Sequence, residues 1–219
     1  MANNEQTLFL SFVLDDNVTI AFPYPGLGAN VGFKPVDWMY FRAGWQDSGS
    51  VVGHMPQNIE IGQSFVIGEL GFPLHIDGLG PGTYRFDGWW SRADQVAGDP
   101  REDTGFGMSW DQQIGDHFVP YGRFGWSRGE LSGYSLSASG GFGLIKPFGR
   151  TNDLFGIGVG WGQTFDDDLN DEWLIEMFYR LQLTETIQLS PDLQILPQVA
   201  DPDQDNVVVV FGFRLGMVF

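Results

Sequence analysis

The sequence contains no cysteine and only three histidines, His54, His75 and His117. A disulfide framework and a thiolate metal site are therefore excluded, and the histidines have no metal-ligand spacing. Eleven Lys and Arg stand against 28 Asp and Glu, a formal net charge of −17. That charge argues against nucleic-acid binding, because a protein that neutralises phosphates needs a basic surface. No nucleophile elbow, zincin motif or phosphate-binding loop is present. We expect no enzyme, no cofactor and no bound metal.

Long apolar runs are also missing. A transmembrane helix needs about 18 or more consecutive apolar residues, and the chain has no such run. Nor does any segment show a convincing helical period with caps. The first residues, Met1 to Glu5, are polar and lack the pattern of a secretion signal. If the protein is exported, we expect the signal peptide to be absent from this sequence.

Apolar residues instead alternate with small or polar ones along most of the chain. In the last segment the alternating positions Val207, Val209, Phe211, Phe213, Leu215, Met217 and Phe219 form one apolar face. Gly212, Arg214 and Gly216 lie on the other face. A strand that crosses a bilayer needs about 9–11 residues of this pattern. A core strand of a soluble β-sandwich also alternates, so this segment alone leaves both folds open.

The connections between strands favour the membrane fold. We predict about twelve strands, the first near Thr7 to Leu14. Long acidic connections are predicted at Asp47–Gly62, Arg92–Asp103, Asp166–Asp171 and Gln198–Asn206, and short ones between them at Lys34–Val36, Ile114–Asp116 and Thr184–Thr186. Short turns at one end and long loops at the other are typical of outer-membrane barrels. We therefore predict an all-β, antiparallel transmembrane β-barrel whose long loops face outside the cell.

The two predicted faces differ in chemistry. Aromatic residues lie near predicted strand ends on the apolar face, as interfacial girdles require: Trp45, Trp90, Trp126, Trp161, Trp173 and Phe219. The inward positions are predicted to line a water-filled lumen and contact a sugar: Arg42, Arg85, Asp87, Arg123, Tyr121, Glu176, Arg180 and Arg214. Charged groups can hydrogen-bond sugar hydroxyls, and an aromatic ring can stack on a sugar face. The alternative is that these charges only pair across neighbouring strands. The glycines of Gly156–Gly162 are predicted to keep part of the lumen wide.

Several segments resemble one known family. They are residues 119–126 (VPYGRFGW), 154–160 (LFGIGVG), 172–184 (EWLIEMFYRLQLT), 187–195 (IQLSPDLQI), 201–206 (DPDQDN) and 213–215 (FRL). From Gly105 onwards the chain resembles the carbohydrate-selective porin (OprB) family. The resemblance implies an outer-membrane barrel of about sixteen strands, with an additional N-terminal segment before the barrel.

The resemblance also implies a function, a location and partners. The function is passive, carbohydrate-selective diffusion of small sugars through the bacterial outer membrane. The expected partners are small carbohydrates, outer-membrane lipid and lipopolysaccharide, and the outer-membrane assembly machinery through the C-terminal strand ending at Phe219. We expect residues 1–219 to be a single barrel domain that lacks the N-terminal strands and signal peptide. The alternatives are a soluble glycan-binding β-sandwich and a structural barrel without transport.

Overall fold

The computed structural model describes residues 8–49, 63–96, 99–204 and 206–217. The predictions placed on residues 50–62 and on Phe219 lie outside these residues. Eleven strands follow in chain order: β1 Gly28–Val36, β2 Met39–Asp47, β3 Ser64–Ile76, β4 Gly80–Val96, β5 Asp99–Gln112, β6 Phe118–Ser127, β7 Tyr134–Ile145, β8 Leu154–Thr164, β9 Glu172–Gln182, β10 Ile187–Gln198 and β11 Val208–Met217. The helical turns are α1, Phe12–Asp15, and a short 3₁₀ turn, Pro147–Gly149.

All eleven strands form one antiparallel sheet in which each strand pairs with the next along the chain. The all-β class and the antiparallel arrangement are confirmed. The sandwich alternative is wrong, because the described strands form a single sheet rather than two packed sheets. The sheet is not closed: within the described residues β1 pairs only with β2, and β11 pairs only with β10.

The strand predicted at Thr7 to Leu14 is wrong in the described part of that range. The Ser11 carbonyl accepts the backbone N–H groups of Leu14 and Asp15, at 3.0 and 2.9 Å, which closes one helical turn. Asp15, Asp16 and Asn17 follow at once, and such residues favour turns because their side chains bond nearby backbone groups. The apolar run therefore ends in a turn, and the sheet has eleven strands rather than about twelve.

The connections follow the predicted alternation only in part, because residues 146–153 at the short-turn end are longer than residues 128–133 at the other end, and two further predictions need correction. Arg92–Asp103 is not a loop, because β4 continues to Val96 and β5 begins at Asp99. There Arg92 lies opposite Glu102, and their charged atoms are 3.3 Å apart, so pairing continues beyond the apolar part of the strands. The turn predicted at Lys34–Val36 belongs to β1, and the chain reverses at Asp37 and Trp38 instead.

The two faces of the sheet have opposite surroundings. On the outer face Phe106 contacts Phe124 and Trp126, with ring centroids 6.0 and 5.5 Å apart, and Trp161 contacts Trp173 at 6.3 Å. Many apolar side chains of this face are exposed, as lipid contact requires. Within the described residues no helix is both long and apolar enough to span a bilayer. Residues 8–22, which we call the N-terminal segment, pack against part of the inner face.

Candidate functional site

The N-terminal segment packs on the inner face through a first anchor, formed by Phe9 and Leu14. Both side chains are fully buried and pack with Tyr121, Leu174 and Phe178. The Phe9 ring meets Phe178 edge-on at 4.9 Å and Tyr121 at 5.6 Å between centroids. Burying apolar side chains and pairing aromatic rings both stabilise the contact. The first anchor therefore holds the segment against β6 to β9.

Polar side chains of the sheet bond the backbone of the segment next to this anchor. Glu176 is fully buried, and its carboxylate accepts the N–H groups of Leu10 at 2.6 Å and Ser11 at 2.9 Å. Arg214 donates from Nη2 to the Leu8 carbonyl at 2.7 Å. A buried segment outside a sheet or helix must find such partners, because unpaired backbone groups are costly. Glu176 and Arg214 thus supply hydrogen bonds that a neighbouring strand would otherwise provide to the backbone of the segment.

A second anchor lies further along the segment, where Ile20 and Ala21 pack with Phe65 of β3 and Trp89 of β4. All four residues are buried. Phe22 adds a ring contact to Phe65 at 5.6 Å. The segment is therefore attached at two places, near β6 to β9 and near β3 and β4.

Glycines of the inner face supply the room in which the segment lies. A Cβ at Gly125 would collide with the side chains of Asn17 and Thr19, and one at Gly160 would lie 2.7 Å from Cγ1 of Val13. A Cβ at Gly158 would collide with Tyr121 and press on Leu14. The prediction that the glycines of Gly156–Gly162 keep the lumen wide is therefore wrong. The space that these glycines leave on the inner face is filled, because neighbouring side chains pack over them.

An acidic stretch, Asp15 to Asn17, joins the two anchors. Asn17 Oδ1 accepts the Thr19 N–H at 3.1 Å and the Thr19 hydroxyl at 2.7 Å, which fixes the turn. Arg123 of β6 donates to the Leu14 carbonyl at 3.2 Å, and the charges of Asp15 and Asp16 act on its guanidinium. The acidic stretch is thereby held opposite a basic position of the sheet.

A cavity of about 280 Å³ lies between the acidic stretch and the wall formed by β3 to β6. Its charged lining consists of Asp15, Asp16, Glu69, Arg85, Asp87 and Arg123, and Asn17 and Ser109 add neutral polar groups. At its border Arg85 Nη1 lies 3.1 Å from Asp111 Oδ1. Two guanidinium groups and several carboxylates thus face one small space, with both arginines on the wall and carboxylates on the wall and on the segment.

The eight site residues predicted from the sequence all lie on the inner face, but in different surroundings. Arg85, Asp87 and Arg123 border the cavity. Tyr121 and Glu176 are buried beneath the N-terminal segment, and Arg214 bonds its backbone. Arg42 lies over the Tyr40 ring at 5.1 Å, and Arg180 lies opposite Leu154 with Arg214 nearby. Contact of these residues with a sugar stays a prediction.

Asp15, Asp16 and Asn17 are not among the site residues predicted from the sequence, because they follow a stretch that is predicted as a strand. Their own signal was present, since an Asp-Asp-Asn run after apolar residues indicates a turn. Within the described residues no group of three or more histidine, aspartate or glutamate side chains is arranged to hold a metal ion.

Comparisons with known proteins agree with this geometry. The sequence profile described as "Carbohydrate-selective porin, OprB family" matches residues 1–219. Porin AaxA of Chlamydia caviae is 26% identical over 97% of this chain and 48% of its own length. Porin AaxA of Chlamydia abortus is 25% identical over 97% of this chain and 49% of its own length. The chain thus spans about half the length of the curated relatives it matches.

Solved structures show the same fold. The high-pH structure of Pseudomonas putida OprB superposes with a TM-score of 0.69 at 15% identity, over 86% of this chain and 58% of that protein. The low-pH structure gives a TM-score of 0.62 and covers 54% of that protein. Family and relatives indicate a channel rather than an enzyme. With a single antiparallel sheet, a charged inner face and a family match along its whole length, the chain belongs to the carbohydrate-selective porin, OprB family.

Proposed function

We propose that this chain supplies the constriction and eleven wall strands of a bacterial outer-membrane channel through which small sugars diffuse passively. The family match and the likeness to porin relatives support this function. We also propose that the barrel closes with strands outside residues 1–219. The support is that, within the described residues, β1 and β11 each have one unpaired edge, and unpaired backbone groups facing lipid cost several kcal/mol each.

One observation carries the proposal: the cavity between the acidic stretch and the wall. Sugars present hydroxyl groups that both donate and accept hydrogen bonds, so a passage lined by guanidinium and carboxylate groups suits them. Arg85 and Arg123 would donate, while Asp15, Asp16 and Asp87 would accept. Conduction also requires that the solute can leave, and a small set of exchangeable polar contacts allows this.

Liposome swelling with a neutral sugar tests the role of the cavity, in a protein that includes the further strands proposed to close the barrel. Arg85→Ala should change the rate of sugar entry and the ratio between sugars of similar size, because it removes a donor from the passage. Arg101→Ala is the matched control, since Arg101 pairs with Glu130 at 3.4 Å on the exposed part of the β4–β5 hairpin. Equal rates of sugar entry and equal selectivity between sugars for the two variants would contradict a role of the cavity in sugar passage. No sugar entry in the wild type would favour a structural barrel without transport.

We further propose that the long-loop end faces the outside of the cell, where it meets lipopolysaccharide. The last strand, with its alternating apolar face, would be the part recognised by the assembly machinery. Labelling of intact cells tests the orientation. A tag in residues 165–171 should be labelled and a tag in the turn 183–186 should not. The reverse result would overturn the assignment.

A further inference from the structure

An apolar groove of about 440 Å³ crosses the outer face at the short-turn end of β7 to β11. Phe155, Met177, Leu193 and Phe211 line it from four neighbouring strands, and Pro147 and Phe148 close it at the turn between β7 and β8. Phe211 is 76% exposed. A groove of this volume and apolar lining can hold part of an acyl chain, which is the apolar material that surrounds a membrane barrel.

The turn beside the groove has an unusual backbone. Lys146 and Phe148 both have left-handed conformations, with φ of 57° and 54°. Side-chain-bearing residues rarely adopt this region, and such strain persists only where the surroundings impose it. The Phe148 ring is 91% exposed and lies beside the Tyr179 ring, with centroids 6.2 Å apart and an angle of 25° between the ring planes. The ring extends the apolar lining beyond the end of the sheet.

Asp153 anchors the same turn. Its carboxylate accepts hydrogen bonds from Tyr179 Oη at 2.8 Å, from Arg150 Nε at 2.5 Å and from the Gln182 N–H at 3.0 Å. Asp153 is 2% exposed, so its charge is compensated inside the turn. Burial alone would raise the pKa of Asp153, but these three hydrogen bonds outweigh it and lower the pKa.

The charge of this turn also differs from that of its neighbours. Among the turns at the same end, residues 37–38, 77–79, 113–117 and 183–186 each contain an acidic residue and no lysine or arginine. Residues 146–153 contain Lys146 and Arg150 against the single, internally bonded Asp153. The chain as a whole has a formal charge of −17. Its one basic turn at this end of the described sheet nevertheless lies beside the apolar groove, which Pro147 and Phe148 of that turn help to line.

We propose that this groove and turn form a binding site for one anionic phospholipid. An acyl chain lies along the outer face over Phe155, Met177 and Leu193, and the phosphate of the headgroup meets Lys146. Phe148 lies at the boundary between the two, where aromatic rings are favoured. The site is separate from the channel cavity, so this inference does not depend on which solute the channel passes.

Native mass spectrometry of the protein in detergent tests the site, with phosphatidylglycerol and phosphatidylcholine of identical acyl chains added at equal concentration. The wild type should retain phosphatidylglycerol about fivefold better, because one basic residue near a membrane contributes about 1 kcal/mol. Lys146→Gly should abolish this preference. Glycine is tolerated at positive φ, so the variant removes the ammonium group without straining the turn. Phe148→Gly should lower the retention of both lipids.

Matched controls separate a specific site from general lipid contact. Lys34→Gln removes a lysine that pairs with Asp37 at 3.2 Å near another turn of the same end, and Phe86→Ala removes an exposed outer aromatic away from the groove. Both should retain phosphatidylglycerol as the wild type does. No preference in the wild type would overturn the proposal. Equal loss in Lys34→Gln and Lys146→Gly would overturn it as well.

Discussion

The inner face differs between its two sides. Toward β6–β9 the N-terminal segment is packed by Phe9 and Leu14 against buried apolar residues. Toward β3–β6 the same segment turns the carboxylates of Asp15 and Asp16 to a cavity that contains two arginines. Both sides attach the segment, but only toward β3–β6 do charged groups of the segment and of the sheet face a shared cavity. The difference shows that residues on the same face of the sheet can either pack against the segment or line a cavity, depending on which part of the segment lies opposite them.

The largest effect is expected from removing the first anchor. Phe9→Ala deletes a fully buried ring and should weaken docking of the segment by about 3–5 kcal/mol, the usual cost of such a truncation. Limited proteolysis should cut the segment much faster, while heat-modifiable gel migration, which reports the barrel, stays unchanged. Phe12→Ala is the control, since that ring is 53% exposed. Equal protection in the two variants would show that the packed side does not hold the segment.

Glu176→Gln should have the next largest effect. The amide keeps the shape but has one acceptor oxygen where the carboxyl group has two, so one backbone N–H loses its partner and we expect docking to weaken by about 1–3 kcal/mol. Hydrogen exchange of the Leu10 and Ser11 amides measures this directly, because both donate to Glu176. Glu69→Gln on the charged side should leave these two amides protected. Faster exchange in both variants would contradict the separation of the two sides.

A methyl group at Gly125 should disturb the charged side. Gly125→Ala directs a side chain at Asn17 and Thr19, and overpacking of this kind costs about 1–3 kcal/mol. Displacement of Asp15 and Asp16 should lower the preference for cations over anions, measured as a reversal potential in planar bilayers. Gly32→Ala is the control on the same face, because its Cβ would lie 3.7 Å from Arg42 and has room. An unchanged reversal potential in Gly125→Ala would place the acidic stretch outside the ion path.

Strong acid should weaken the turn at residues 146–153, because protonation of Asp153 weakens the hydrogen bonds that its carboxylate accepts. The folded state lowers the pKa of Asp153. The contribution of ionised Asp153 to the stability of the turn is therefore complete above the ordinary aspartate pKa of about 3.9, and it is lost as the pH falls through the lowered pKa. Exchange of the Gln182 amide should accelerate over that range. Asp153→Asn should remove this pH dependence, and Asp77→Asn should not. Retention of the dependence in Asp153→Asn would assign it to another group.

The sequence was sufficient to predict the sheet, its antiparallel order and the face on which Arg85, Arg123 and Glu176 lie. Alternation determines these features, because side chains of a strand point to opposite faces with a period of two. Alternation could not predict the N-terminal segment, whose position depends on packing between Phe9 and residues such as Phe178, 169 positions along the chain. For the same reason the inner glycines were expected to leave open space. Nothing in a glycine run indicates whether another segment fills it.

The position of the N-terminal segment on the inner face of the sheet, against β8, can be tested directly. The absence of cysteine allows a direct test, because an introduced pair would be the only thiols. A Cβ at Gly160 would lie 3.5 Å from Cβ of Val13, within the range that a disulfide requires. Val13→Cys with Gly160→Cys should therefore form an intramolecular disulfide on mild oxidation in membranes, and Val13→Cys with Gly32→Cys should not. Failure of the first pair to cross-link, with the barrel intact by gel migration, would contradict the account.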